Sequence, residues 1–154
     1  MKKNVYLLGA ILLLGGILLF SMKEKELLIR DQNTGEIYGR FEVEDGEIFS
    51  ITFIHSVNQS PVTDRLIITE EGFDAYETIY SSFGAGVQTE LLDGESLSYD
   101  HEGNMIISDF KHSYTSLNLI VGTVSDHILT IKGKEISLRE LCGRNASVVI
   151  VVKN

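Results

Sequence analysis

"IFSITFIHS", residues 48–56, is the stretch of sequence that decides the fold class. Its apolar residues Phe49, Ile51 and Phe53 alternate with the polar residues Ser50 and Thr52. Because successive side chains of a β-strand point to opposite faces, this spacing of two predicts a strand with one buried face. The segment therefore indicates a sheet that a hydrophobic core covers on one side.

Similar short runs lie on both sides of this strand, separated by Gly, Asn and Asp turn signals. The further predicted strands are ELLIRD, EIYGRFEV, RLIIT, FDAYETIY, the two arms of the hairpin SLSYDHEGNMIISDF, SLNLIVG, HILTIKG and SVVIVV. Short strands that recur every ten residues or so are typical of sandwiches and barrels. The sequence therefore predicts an all-β fold, either an antiparallel β-sandwich or a partly open barrel.

One short helix interrupts the β pattern at "SLRELCG", residues 137–143. Ser137 can cap the helix, Glu140 follows three residues later, and Gly143 can end it. Three residues of the helix would then face the core: Leu138, Leu141 and Cys142. We expect this helix to be structural and to close one end of the sheet assembly.

The first segment of the chain predicts a membrane anchor. Lys2 and Lys3 precede a run, residues 5–22, that is apolar apart from glycines and one serine. Eighteen helical residues span about 27 Å, which is close to the hydrocarbon thickness of a bilayer. We predict an uncleaved signal anchor over residues 1–22 and one extracytoplasmic β-domain over residues 23–154. Because basic residues precede the apolar run, as in export signals, the N-terminus is expected in the cytoplasm of this single-pass protein of the cell membrane.

The formal net charge of −9 limits the partners of the chain. Without Lys2 and Lys3 of the anchor, 11 basic and 22 acidic residues leave a charge of −11. Such a domain repels phosphate backbones, so no nucleic-acid binding is expected, whereas a cationic ligand or a basic partner surface would be attracted. The single cysteine, Cys142, excludes an internal disulfide. The histidines are isolated in sequence, so neither a metal site nor a cofactor is predicted.

The first candidate site begins at the end of the strand over residues 48–56. It contains residue types found in hydrolytic sites: His55, Ser56, Ser60 and Asp64. Adjacent strand residues point to opposite faces, so His55 and Ser56 cannot form a dyad with each other. Pro61 marks the start of the next strand, which places His55 and Asp64 on neighbouring strands and predicts a hydrogen bond between them. The alternatives are a catalytic site and a polar loop. The loop is favoured because no nucleophile signature such as G-x-S-x-G flanks it.

The second candidate site is "YSSFGAGVQTE", residues 80–90, with five candidate ligand-binding residues: Tyr80, Ser82, Gly84, Ala85 and Gly86. Two glycines around one residue permit positive φ and let a ligand approach the backbone closely. Exposed amides at such a turn can hold an anion or a carbonyl oxygen. The alternative is a β-bulge or a tight bend at a sheet corner, which is the more usual role of strand glycines.

Taken together, "FIHSVNQSPVTD" and "YSSFGAG" resemble the bacterial family known as domain of unknown function eighteen-fifty. The chain departs from the family pattern at Asp64, where Glu is expected, and at Val87 and Gln88, which replace a Leu-Pro-like pair. Members are often encoded beside TAXI-type TRAP transporters, so the resemblance implies a transporter subunit or a solute-binding protein as partner. It brings no catalytic residue with it. We call residues 55–60 the His55 loop and residues 84–86 the Gly84 turn. We expect these two segments to meet at one end of the sheet in a small polar site.

Three functions compete on these grounds. The favoured one is a membrane-anchored, non-catalytic accessory domain that binds a transporter component or a small ligand. The second is an envelope hydrolase in which His55 acts as base, Asp64 orients it, and Ser56, Ser60 or Ser82 is the nucleophile. The third is a purely structural envelope protein in which both motifs are turns.

Overall fold

The computed structural model describes residues 25–82, 88 and 90–154. The predicted anchor over residues 1–22 lies outside these residues, and so do Gly84, Ala85 and Gly86. Within the described part of the chain, no helix combines the length and the apolar character needed to cross a bilayer.

Twelve strands and one short helix make up the described residues. The strands are β1 Lys25–Asp31, β2 Ile37–Val43, β3 Ile48–Ile54, β4 Pro61–Ile68, β5 Phe73–Tyr80, β6 Ser96–Tyr99, β7 Met105–Ser108, β8 Ser113–Tyr114, β9 Ser116–Ile120, β10 His127–Ile131, β11 Lys134–Ser137 and β12 Ser147–Lys153. The helix, α1, covers Leu138–Cys142 and lies between β11 and β12.

The strands form two antiparallel sheets. A four-stranded sheet has the order β2-β1-β12-β9, and an eight-stranded sheet follows the path β11-β10-β3-β4-β5-β7-β6, with β8 paired to β5 outside this path. Both paths end in unpaired edges among the described residues, so neither sheet closes on itself. The all-β prediction, with antiparallel sheets and one short helix, is therefore confirmed.

One hydrophobic cluster joins the two sheets. Leu27 of β1 and Ile150 of β12, from the four-stranded sheet, belong to the same fully buried cluster as Phe49 and Leu129 from the eight-stranded sheet. Each fully buried side chain of this kind contributes about 1.5–3 kcal/mol relative to its exposed state. The alternation read in residues 48–56 thus reflects a strand that packs one face on a core shared by two sheets.

The eight-stranded sheet also has a second, smaller core. Met105 and Ile107 of β7 are buried against Tyr80 and Phe110. β6, the edge strand on this side, is exposed along its whole length. The part of the sheet formed by the end of β5 with β7 and β6 therefore depends on a local cluster and on the connections that cross it.

Helix α1 is held by a cap and by a carboxylate. The Ser137 side chain accepts a hydrogen bond of 3.0 Å from the backbone N–H of Glu140, which confirms the predicted N-cap. Asp126 accepts hydrogen bonds from the Ser137 hydroxyl and from the backbone N–H of Arg139. Leu138 is fully buried, and Leu141 and Cys142 pack against the main core as predicted.

Two strands, β8 and β11, are not among the predicted ones. β8 has only two residues, and β11 has the sequence KEIS, in which no run of β-branched or aromatic residues appears. Each becomes a strand because a stronger neighbour offers hydrogen bonds: β8 pairs with β5, and β11 pairs with β10.

Candidate functional site

A cavity of about 300 Å³ lies over β4 and β5, beside the edge strand β9 of the four-stranded sheet. Strands β4 and β5 provide its floor, and the described residues of the segment over 88–95, together with the connection from β7 to β9, provide its walls. Thirteen described residues line it: Asp64, Arg65, Leu66, Ala75, Glu77, Thr78, Gln88, Leu92, Glu95, Phe110, His112, Tyr114 and Leu117.

Asp64 is a carboxylate on the face of β4 that otherwise carries buried apolar residues. Val62 and Leu66, two positions away on either side, are both 5% exposed. Since strand side chains alternate, Asp64 points to the same face as these two residues. Its Oδ1 accepts a hydrogen bond of 2.8 Å from the Thr78 hydroxyl, across the β4–β5 pair. Burial raises the pKa of Asp64, and the bond from Thr78 offsets only part of this effect.

Tyr80 stands on the same face of β5, because it pairs with Val62 as Thr78 pairs with Asp64. Burial raises the pKa of its phenol, and the nearby carboxylates of Asp64 and Glu95 raise it further. A hydrogen bond with the backbone of Gln88 acts in the opposite direction. Two residues predicted from the sequence, Asp64 and Tyr80, are thus brought to one place.

The segment over residues 88–95 supplies a second carboxylate. Glu95 Oε2 accepts a hydrogen bond of 2.6 Å from Gln88 Nε2 and one of 2.8 Å from the backbone N–H of Leu92. These two bonds fold the segment back on itself. Glu95 therefore holds the wall of the cavity in shape while it adds negative charge to the site.

Aromatic side chains form the opposite wall, which comes from the connection between β7 and β9. Phe110 packs against the small core of β7, and the Tyr114 ring lies 6.2 Å from the Phe73 ring of the main core. The His112 ring lies 6.5 Å from that of Tyr114, on the exposed side. The aromatic wall is therefore anchored to both hydrophobic clusters.

The His55 loop is a closed hydrogen-bonded turn. His55 donates its backbone N–H to the Ser60 carbonyl at 2.9 Å, and its own carbonyl accepts from the Gln59 N–H at 2.9 Å. Its ring Nδ1 accepts from the backbone N–H groups of Val57 and Asn58 at 3.3 and 3.4 Å. The ring thus caps its own loop, whereas the polar-loop interpretation expected a nearby acid to hold it.

The predicted hydrogen bond between His55 and Asp64 is not formed. Asp64 pairs with Ile51, four residues before His55, and its carboxylate uses Thr78 instead. Asp64 lies in β4 as predicted, but His55 lies just after the end of β3, and the prediction took no account of the distance between the two residues along the strands. Four residues of strand correspond to about 13 Å.

The two sequence motifs do approach each other at one end of the sheet. The backbone N–H of Ser81 donates to the carbonyl of Pro61 at 3.2 Å, which places the start of the second motif beside the end of the His55 loop. Ser56 is exposed there and Ser60 is buried at 9% exposure. Ser82 is exposed as well and has an interaction partner. Whether the predicted glycine turn completes a polar site with them stays a prediction, since that turn lies outside the described residues.

The chemistry of the two places differs. Between the described residues His55, Ser56 and Ser60, no hydrogen bond joins a hydroxyl to the imidazole, so no pair of nucleophile and base is assembled there. The described part of the chain also holds no group of three or more His, Cys, Asp or Glu side chains suited to a metal ion. The cavity over Asp64 combines carboxylates with aromatic and apolar walls, the composition that is typical of small-molecule sites.

Sequence reasoning missed several lining residues: Thr78, Glu95, Phe110, His112 and Tyr114. Counting the β4–β5 hairpin outward from its turn, where Ile68 pairs with Phe73, would have placed Glu77 opposite Asp64, and only the register shift between Arg65 and Leu66 brings Thr78 there. Glu95, Phe110 and His112 come from connections between strands, and Tyr114 belongs to the two-residue strand β8 within such a connection. Nothing in the local pattern of a loop indicates which part of a sheet it covers.

A family comparison agrees with the motifs. The family model described as "Domain of unknown function (DUF1850)" matches residues 49–138, which is more than half of the chain and includes every lining residue named above. No curated protein and no solved structure matches the chain. The resemblance inferred from the two motifs is confirmed. The chain belongs to the family of proteins that carry the domain of unknown function DUF1850.

Proposed function

We propose that this protein is a membrane-anchored, extracytoplasmic binding domain without catalytic activity. The observation that carries the proposal is the cavity of about 300 Å³ with the carboxylate of Asp64 on its floor. Binding sites for small molecules are concave, mostly apolar and furnished with a few polar groups that fix the ligand. Leu66, Leu117 and the aromatic wall supply the apolar part, and Asp64 and Glu95 supply the polar groups.

The anchor in this proposal is the apolar run over residues 5–22. β1 begins at Lys25, whose ammonium group pairs with Asp45 and donates to the Thr69 carbonyl at 3.1 Å. These contacts place Lys25 at the end of the eight-stranded sheet that lies opposite the His55 loop. A tether at this end presents the His55 loop away from the bilayer, where a partner in solution or another membrane subunit can reach it.

The partner in this proposal is a component of a TAXI-type TRAP transporter, either a membrane subunit or the solute-binding protein. Support comes from the family membership and from the charge of −11 that the chain carries without its two N-terminal lysines, which favours a partner with a basic surface. The hydrolase alternative is weaker because the ring Nδ1 of His55 is occupied by its own loop.

Co-expression with a transporter tests the proposal. The full chain is purified in mild detergent after co-expression with the permease subunits and the solute-binding protein of a TAXI-type TRAP transporter from the same genome. We expect at least one of them to co-purify with the wild type. The variant Val57→Lys, which places a positive charge on the His55 loop at a side chain that is 65% exposed, should retain at least fivefold less of a partner with a basic surface. The exposed control Thr123→Ala should behave as the wild type.

Two results would overturn the proposal. One is a wild-type chain that purifies alone although every transporter component is present. The other is labelling of the wild type by a fluorophosphonate probe that is lost in His55→Ala, which would favour the hydrolase.

A further inference from the structure

We propose that the cavity over Asp64 binds a small organic monocation, a primary amine or a guanidine on a short apolar stem. This inference rests on the proposed function, because it names the class of ligand that the binding domain takes.

The carboxylate of Asp64 lacks a cationic partner. Among the described residues, the Thr78 hydroxyl is its one hydrogen-bond donor. The nearest basic residue along the strand, Arg65, donates to Glu77 and holds its guanidinium carbon 5.7 Å from the centroid of the Tyr76 ring. A carboxylate that is withdrawn from water with one neutral donor is costly for the protein, and a bound cation offsets this cost.

The carboxylate of Glu95 adds a second negative charge to the cavity. Both hydrogen bonds to Glu95 come from neutral donors, Gln88 Nε2 and the Leu92 N–H, and both go to Oε2. Tyr80 is close enough to both Asp64 and Glu95 for their charges to raise its pKa. The ion pair between Arg65 and Glu77 contributes no net charge to the cavity. The carboxylates of Asp64 and Glu95 are therefore left without a cationic partner among the lining residues that the structure describes.

Two further basic side chains, His112 and Lys111, lie near the cavity. His112 lines the exposed side of the cavity. Lys111 is not a lining residue, and its side chain lies against Gly94. The interior therefore carries an excess of negative charge that a ligand can neutralise.

The wall favours an organic cation over a metal ion. The described residues offer no group of three metal-ligating side chains, whereas Phe110 and Tyr114 present aromatic rings. Aromatic faces attract ammonium and guanidinium groups, and Leu66 and Leu117 can cover an apolar stem. The volume of about 300 Å³ limits the ligand to a small molecule.

Titration calorimetry on the full chain in mild detergent tests the inference, with benzylamine as probe and benzyl alcohol as its neutral isostere. We expect benzylamine to bind at least tenfold more tightly than benzyl alcohol. Asp64→Asn should weaken benzylamine binding at least tenfold and leave benzyl alcohol unchanged. Glu95→Gln should weaken it about threefold. Asp93→Asn removes a charge from the same segment outside the cavity and should change the affinity by less than twofold.

Equal affinity for the two probes, or unchanged benzylamine binding in both Asp64→Asn and Glu95→Gln, would overturn the inference. So would tight binding of Ca²⁺ or Zn²⁺ that displaces benzylamine and is lost in Asp64→Asn. If benzylamine fails to bind while the wild type still co-purifies with the transporter component and Val57→Lys releases it, the proposed ligand class is wrong and the proposed function stands. If benzylamine binds as expected but no component co-purifies, the ligand class stands and the proposed partner is wrong.

Discussion

Two aspartates of this protein, Asp126 and Asp64, show how the same residue type serves two different purposes. Asp126 precedes β10 and accepts hydrogen bonds from the backbone N–H groups of His127 and Arg139 and from the Ser137 hydroxyl. Burial acts to raise the pKa of Asp126, but these bonds outweigh it and lower the pKa. Asp64 has the Thr78 hydroxyl, and burial raises its pKa.

The difference separates a closed region from an open one. Around Asp126, the protein itself supplies the donors, so the carboxylate ties β10, β11 and helix α1 together and has little left to offer a ligand. Around Asp64, the protein supplies a cavity and one donor. A buried polar group that the fold satisfies is structural, whereas one that the fold leaves short of partners beside a cavity is a candidate for binding.

Asp126→Ala should give the largest loss of stability among the changes in the closed region, which consists of Asp126 and its donors His127, Ser137 and Arg139. The change leaves two backbone N–H groups and the Ser137 hydroxyl without their acceptor, and each unsatisfied group is costly. We expect the free energy of unfolding to fall by about 3 kcal/mol at pH 7, measured by urea denaturation of the full chain in mild detergent. Ser137→Ala, which removes the cap but keeps the carboxylate, should cost about 1 kcal/mol. Equal stability of Asp126→Ala and the wild type would show that Asp126 is not structural.

Gly122→Ala should disturb the same region through a steric clash with the backbone. A Cβ atom at this position would lie 1.9 Å from the carbonyl oxygen of Ser125, so the loop before Asp126 must shift. Ser125 in turn accepts a hydrogen bond of 3.0 Å from the N–H of Ile54 at the end of β3. We expect a loss of about 2 kcal/mol in the same assay. Thr123→Ala, at the exposed neighbouring residue, is the control. If Gly122→Ala had the same free energy of unfolding as the wild type, the close packing of this loop would be contradicted.

Asp64→Asn should raise the free energy of unfolding, whereas the two preceding changes lower it. The amide keeps an acceptor for Thr78 and removes a poorly compensated charge, so we expect stability at pH 7 to rise by about 1 kcal/mol. Because the folded-state pKa of Asp64 is raised above its ordinary value of 3.8, its contribution to stability is full below that value and is lost as the pH rises through the folded pKa. The advantage of Asp64→Asn should therefore grow from acidic to neutral pH. The titratable groups that face Asp64 are Tyr80, Glu95, His112 and the Arg65–Glu77 pair.

The control for that experiment is Glu70→Gln, a change at an exposed acid, which should leave the stability profile unchanged. Asp126→Asn should show the reverse of the Asp64 profile. A lowered pKa stabilises the fold above the ordinary value and loses this effect as the pH falls through the folded pKa. Identical pH profiles for the two variants would remove the contrast between the regions.

The smallest effect is expected at Cys142, next to the closed region. Burial raises the pKa of its thiol to about 11, so few thiolates form near neutral pH. We expect iodoacetamide to label the folded chain at pH 8 at least tenfold more slowly than the chain in urea. Rapid labelling of the folded protein would show that helix α1 opens readily and that the closed region is less closed than its hydrogen bonds indicate.

Local patterns were sufficient for most of the fold. The alternation in residues 48–56 predicted β3, Pro61 predicted the start of β4, and Ser137 with Glu140 predicted the cap of α1. Each of these features depends on side chains within a few residues of one another. β8 was missed because its pairing with β5 comes from a partner that is distant in sequence.

The candidate site was only half predictable, and a bulge is the reason. From the turn, Ile68 pairs with Phe73 and Leu66 with Ala75, and an uninterrupted register would place Glu77 opposite Asp64. The register shifts between Arg65 and Leu66, so Thr78 faces Asp64 and Arg65 faces Glu77. The bulge thus replaces a repulsive pair of carboxylates by a hydrogen bond and an ion pair.

The sequence by itself determined the fold class, the capped helix, the family and the residue types of two motifs, because period, cap chemistry and composition act over short distances. Only the tertiary structure decided that His55 serves its own loop, that Asp64 lines a cavity with Tyr80 close by, and that Glu95 and the aromatic wall enclose this cavity. These outcomes depend on strand register and on which loop crosses which sheet. Contacts between residues far apart in the chain set both, and no local pattern encodes them.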